Sequence, residues 1–243
     1  MSKDSNRQIV MERLRDARKR RDDGSGTVPS ELRVEPPATA APLVSGSSPP
    51  VVPDDPLTRP GRFARNLEMA SGVCHRTTSD AAATEALLAI VRDRDASVIL
   101  RSEDDLVIRL LEGVAGGFEL LGPNTDRDDL MRADIGVSRA TLGVSEYGTI
   151  MLESGDAIGR FGAPTERNRL VSLVPEVHIA ILAASDLVGT WDEALAATRR
   201  KDGHPPPTVT FATGPSRTAD IELELVLGVH GPRAQHVILM EHL

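Results

Sequence analysis

The 243 residues suffice for one large domain or two small ones, and the 40% hydrophobic content supports a core that the 2% aromatic content restricts to Leu, Ile, Val and Ala. A formal net charge of -8 with so few rings excludes the basic, stacking surface that nucleic-acid binding needs. The single cysteine, Cys74, excludes an internal disulfide and an iron–sulfur site of the chain's own, no run approaches the ~18 apolar residues of a membrane span, and the charged N-terminus carries no apolar signal region, so the expected location is cytoplasmic.

Ser5 to Arg21 reads as a helix, with capping-box spacing at Ser5 and Gln8 and a thin stripe of Val10, Leu14 and Ala17. Residues 1–21 hold eight Lys or Arg against three Asp or Glu, so this piece is +5 and the remainder -13. It is either a solvated helix or a basic arm that docks on an acidic surface. Residues 22–60 hold nine of the 17 prolines and no aromatic residue, and form a Pro/Gly/Ser-rich linker that cannot bury enough apolar surface to offset its ordering entropy. The globular domain then covers residues 61–243.

Within it, Arg62 to Ala70 reads as a short helix and Gly72 to Arg76 as a strand. Asp80 to Arg92 is a helix capped by Ser79, with a Thr84, Leu87, Leu88, Val91 stripe. Ser97 to Leu100 is a strand, and Ser102 with Asp105 opens a helix that Gly113 ends. A strand at Phe118 to Leu121 and a helical turn at Asp126 to Met131 come next. Asp134 to Ser138 and Gly148 to Leu152 read as strands flanking a loop from Arg139 to Tyr147. Glu166 to Leu173 is a helix capped by Thr165. Val177 to Leu182, apolar except for His178, is the pattern of a strand buried on both faces. Thr190 to Lys201 is the best-signalled helix, with Thr190 and Glu193 as its capping box, Trp191 on its stripe and Arg199, Arg200 and Lys201 in its last turn. Thr208 to Ala212 is a strand. Ile221 to Val229 alternates like a strand, although Glu, Leu and the preceding hydroxyls also suit a helix; the alternation favours a strand, turned by Gly228 to Pro232 into a last one at His236 to Met240. This alternation of strands and helices predicts an α/β fold with a mainly parallel sheet covered by helices.

Two loops concentrate polar chemistry. Thr213 to Asp220, succeeded by Gly228 to Pro232, gathers glycine, proline, hydroxyls, a guanidinium, a carboxylate and an imidazole; a strand leading into such a loop is where an open α/β sheet places a crevice. Gly214, Ser216, Arg217, Thr218 and Asp220 could hold a phosphate or carboxylate, Arg217 by two parallel bonds; equally, they cap the next element of the chain and Arg217 pairs with Asp220. His230 is a candidate acid–base group or a turn filler. The second loop, Gly143 to Thr149, puts Glu146 between a strand and a glycine turn, with Gly148 and Thr149 beside it. There Glu146 serves as nucleophile or general base, or accepts bonds from turn amides. His178 reads as a hydrogen-bonded core histidine, His236 and His242 as surface groups. The six histidines show no H-x-x-x-H or H-x-H pairing, so no metal site is signalled.

These loops resemble one family. Gly143-Val144-Ser145-Glu146-Tyr147-Gly148-Thr149 is similar to the G-[IV]-A-E-T-G-T of the LutC/YkgG lactate-utilization proteins (LUD domain), with Ser145 and Tyr147 departing from its usual Ala and Thr. Arg169 through Pro175 to His178-Ile179 resembles its R-x-x-x-x-x-P-x-x-H-I. Gly214 to Glu222 with Gly228 to Pro232 resembles its G-P-S-[RK]-T-A-D-I-E and G-V-H-G-P. The resemblance implies a fold of the sugar-phosphate isomerase and CoA-transferase group (NagB/RpiA/CoA-transferase-like). It implies a cofactor-free subunit of a system oxidising L-lactate to pyruvate, with iron–sulfur clusters in partner proteins. The alternatives are an acyl- or CoA-handling enzyme using Glu146, or a binding module that senses an organic acid.

Overall fold

The computed structural model describes residues 59–114, 117–155, 161, 167–198, 206–219, 225–227 and 231–243. The helix expected over Ser5 to Arg21 and the linker up to residue 58 lie outside them.

A six-stranded sheet, parallel throughout, organises the domain. Its strands are β1 (Val73–Thr77), β2 (Val98–Arg101), β3 (Glu119–Leu121), β4 (Ile135–Arg139), β7 (Val177–Ala183) and β12 (Ala234–Met240), in the order β1-β12-β7-β4-β2-β3. β7 is buried at all seven positions, because it lies between β12 and β4 with a layer packed on each face. On one face lie α2 (Asp80–Asp93) and α3 (Asp105–Glu112), whose Leu87, Ile90, Val91, Leu106, Val107 and Leu110 pack on Ile99, Ile135, Val137, Ile179 and Ile238. The buried stripe of α2 is Ala83, Leu87, Ile90 and Val91, so the helix is rolled slightly from the expected stripe and Thr84 is only partly covered.

The opposite face carries α1 (Arg59–Met69), through Phe63 and Leu67, and a second sheet, through Ile150, Leu152 and Leu187. Toward the other edge it carries α4 (Arg127–Leu130) and α5 (Asn168–Leu173), through Leu130 and Val171 on Val98 and Leu100. The second sheet has the order β8-β5-β6-β9, with β5 (Leu142–Val144), β6 (Thr149–Ser154), β8 (Leu187–Val188) and β9 (Thr208–Ala212). Its β5–β6 and β6–β9 pairs are antiparallel. α6 (Trp191–Ala197) covers its outer side through Ala194 and Trp191, against Met151 and Phe211. β10 (Arg217–Ala219) and β11 (Leu225–Leu227) pair antiparallel as a separate ribbon.

Several local expectations are corrected. The linker ends earlier than residue 60, since Arg59 and the buried Pro60 already form the first turn of α1, where proline's missing N–H costs nothing. α3 is capped by Asp104, whose carboxylate accepts from Leu106 N at 2.9 Å, and not by Ser102. The loop expected from Arg139 to Tyr147 contains β5, three buried residues too short for a periodic signal. β9 belongs to the second sheet and not to the parallel one, so the loop after it does not rim the main sheet. α6 ends at Ala197 with Thr198 as its cap; Arg199, Arg200 and Lys201 lie outside the described residues, as does Thr165.

Candidate functional site

The loop between β5 and β6 is tied to the end of α1 through the loop's own main chain. Asn66 Nδ2 donates to Ser145 O at 2.8 Å and to Glu146 O at 2.9 Å. Gly148 sits at φ +65, and a Cβ there would lie 2.1 Å from Leu67 N, so only glycine gives both the left-handed conformation and the close approach to the helix. On the other side, Ser145 N donates to Val188 O at 2.9 Å and Glu146 N to Gly189 O at 3.1 Å. Glu146 is thereby fixed at its backbone while its half-buried side chain stays open to the cleft.

The Gly-Pro-Ser loop after β9 lands on the same helix end. Gly214, at φ +69, brings its α-carbon against Ala70, where a Cβ would sit 2.1 Å from Ala70 O. Thr213 Oγ1 and the buried Thr149 Oγ1 share a hydrogen bond of 2.6 Å. The result is one open cleft of about 450 Å³ lined by Asn66, Met69, Ala70, Glu146, Tyr147, Thr149, Trp191 and Thr213. Its aromatic wall is built outward from the second sheet. Phe211 meets Trp191 edge-on with centroids 4.6 Å apart, and Trp191 meets the exposed Tyr147 at 6.2 Å.

The two loops therefore converge, with Glu146, Gly148 and Thr149 on one side and Gly214 on the other. Arg217 takes a different place. Its Nη2 donates to Ala70 O at 2.8 Å and to Ser71 Oγ, so the guanidinium pins the loop to the helix end. Ser216 turns toward Gly231, its amide donating to Pro232 O at 2.9 Å. Thr218 lies in β10, opposite Val226. Asp220 and His230 lie outside the described residues. Asn66 and Trp191 went unrecognised as cleft residues in the sequence: Asn66 carries no motif, and Trp191 satisfies a helix stripe whether or not its far edge lines a cleft.

The buried histidines have separate settings. His178 Nε2 and Ser138 Oγ lie 2.8 Å apart in the core, and burial pushes the imidazole down to about 4. His236, expected at the surface, is buried: its Nδ1 lies 3.1 Å from His75 Nε2, the rings stack, and burial with the neighbouring His75 lowers it to about 4. β12 is an inner strand flanked by β1, which covers what an edge strand would expose. Cys74 is pushed up to about 12 by burial and then by Glu68, which leaves it an unreactive thiol.

A parallel sheet with a helical layer on one face, a second sheet on the other and a largely apolar cleft with one carboxylate at the second sheet's rim defines an α/β protein whose candidate site lies off the main sheet. Residues 61–240 match the LUD domain family, and the chain belongs to it. It is similar to a lactate utilization protein C of Exiguobacterium sp., 39% identical over 121 residues, 48% of this chain and 49% of that protein. It is also similar to one of Geobacillus sp., 36% identical over 114 residues, 45% of this chain and 44% of that protein. The chain spans about half the length of the curated relatives it matches. The crystal structure of a DUF162 family protein from Deinococcus radiodurans shares the fold, with a TM-score of 0.55 at 21% identity over 77% of this chain and 99% of that one. Among the described residues no helix is long and apolar enough to cross a membrane.

Proposed function

We propose that this chain serves lactate utilization as a cofactor-free subunit, with the Glu146–Thr149–Thr213 cleft as its ligand site and with electron transfer carried out by iron–sulfur partner proteins that oxidise L-lactate to pyruvate. The observation that carries the reading is the seating of both family-type loops on one helix end, where Gly148 and Gly214 admit no side chain. The names of the relatives support the pathway, and a lone cysteine suits a reducing cytoplasm. The test is growth on L-lactate of a host deleted for this gene and complemented with wild type or Glu146→Gln. Wild type restores growth and the variant does not. Lactate-dependent dye reduction by the purified chain alone would overturn the division of labour.

A second reading, an acyl- or CoA-handling activity of the same cleft, is favoured by the lining itself. It combines one carboxylate, one amide and three hydroxyls with apolar and aromatic faces and has no cationic side chain among its described residues, which suits a neutral acyl group better than a free anion. Under this reading the parent protein consumes a short acyl-CoA and Glu146→Gln abolishes the turnover.

A further inference from the structure

The cleft beside α1 has a composition that singles out one class of ligand. Glu146 is the one charged side chain among its described lining residues. Among the described residues its half-buried carboxylate makes no hydrogen bond and no ion pair. Two amides of its own turn are spent elsewhere: Glu146 N donates to Gly189 O at 3.1 Å and Tyr147 N to Val144 O at 3.4 Å. The expectation that this carboxylate accepts bonds from turn amides therefore fails. A carboxylate drawn partly out of water without a partner carries a cost that a bound cation would offset.

Beside Glu146 stand the two rings of the lining. Trp191 and Tyr147 have centroids 6.2 Å apart and planes tilted by 41°, so they form an angled wall rather than a flat stack. Phe211 braces Trp191 edge-on at 4.6 Å, whereas Tyr147 is 49% exposed and gains little from the fold by staying there. The exposed Met69 adds a flexible apolar flank. Ring faces attract cations, and they do so best when the cation sheds its water easily, as an ammonium carrying carbon substituents does. The volume of about 450 Å³ lies within the range of small-molecule sites.

The remaining polar groups point the same way. Asn66 spends its Nδ2 hydrogens on Ser145 O and Glu146 O, and the hydroxyls of Thr149 and Thr213 are bonded to each other, which leaves few donors for an anion. Arg217, pinned to Ala70 O and Ser71 Oγ, is outside the lining. The formal net charge of -8 adds a long-range pull on cations. We propose that the cleft binds an alkylated ammonium group, its charge on Glu146 and its carbon substituents against Tyr147 and Trp191. This rests on the reading of the same cleft as the ligand site.

Trp191, the only tryptophan of the chain, is the reporter. Its fluorescence in the full chain is titrated, at constant ionic strength, with choline and with 3,3-dimethyl-1-butanol, which has the same branched shape without the charge. Choline changes the emission saturably and binds about tenfold more tightly than the alcohol. Nα-acetyl-lysinamide, the primary ammonium that a partner protein's lysine would present, binds more weakly than choline because it gives up more hydration. Glu146→Gln weakens choline binding by about tenfold, and Tyr147→Leu, at an exposed position, by about threefold or more. Glu85→Gln, which removes an exposed carboxylate from α2 on the other face of the main sheet, leaves it within about twofold. If Glu146→Gln perturbs the circular dichroism spectrum, the Tyr147 variant decides. No saturable response to millimolar choline, equal affinity for the alcohol, tighter binding of the lysine derivative, or equal losses in the Glu146 and Glu85 variants would each overturn the proposal. The growth test separates the two readings. Loss of growth on L-lactate in Glu146→Gln without any response to choline removes the cation and keeps the site; saturable choline binding with growth unaffected supports the cation and removes the role in lactate utilization.

Discussion

Replacing Gly148 by alanine tests the joint on which the cleft depends. The new Cβ would lie 2.1 Å from Leu67 N, 2.5 Å from its Cα and 2.7 Å from Asn66 C, all main-chain atoms of a helix that cannot rotate out of the way. The left-handed conformation costs an alanine about 1–2 kcal/mol. Restoring ordinary contact requires the helix and loop to part by more than about 1 Å, which loosens the packing of Phe63 and Leu67, both 0% exposed, where each fully buried side chain is worth about 1.5–3 kcal/mol. Together these give a loss of about 3–5 kcal/mol in urea unfolding, with the midpoint lowered and the slope unchanged. Gly61→Ala is the matched control. It lies in the same helix with nothing within 4 Å of the added atom, and gains up to about 1 kcal/mol from helix propensity. A Gly148→Ala protein within about 1 kcal/mol of wild type would refute the claim that loop and helix are in steric contact.

Two further outcomes concern buried polar groups. His178 has a folded pKa of about 4 against 6.5 when unfolded, so the unfolded chain binds more protons between those values. Stability is then fully present above about pH 6.5 and falls by about 3 kcal/mol as pH drops toward 4; His178→Gln flattens that slope in urea unfolding measured across the range. His236 adds to the same acid side. Thr213→Val strips Thr149 Oγ1 of its 2.6 Å partner in a site where Thr149 is 1% exposed, and lowers stability by about 1–3 kcal/mol with the secondary structure intact by circular dichroism.

The main sheet was legible because its strands and helices carry period and punctuation. β7 reads as a doubly buried strand from composition alone, and Ser79 and Thr190 announce the starts of α2 and α6. The second sheet was legible only in β6 and β9, read as strands at Gly148 to Leu152 and Thr208 to Ala212, because β5 and β8 have three and two residues, fewer than any periodicity can register. The cleft was half legible. Glu146, Gly148, Thr149 and Gly214 stand in motifs with unusual chemistry, whereas Asn66 acts through two main-chain carbonyls about eighty residues away, a relation that no local spacing encodes. Arg217 shows the converse: a guanidinium in a loop whose chemistry suits an anion donates from Nη2 to the neighbouring helix end.

The position of β12 carries a consequence for biosynthesis. This late strand lies between β1 and β7, pairing Cys74 with Val237 on one side and Ala180 with Val237 on the other. As the chain emerges from the ribosome, β1 is made early yet has no hydrogen-bonding neighbour in this sheet until roughly 160 residues later, so closure of the sheet waits for β12. Until then the β1 edge stays open, and Val237 and Leu239 are missing from the cluster that holds Phe63 and Leu67.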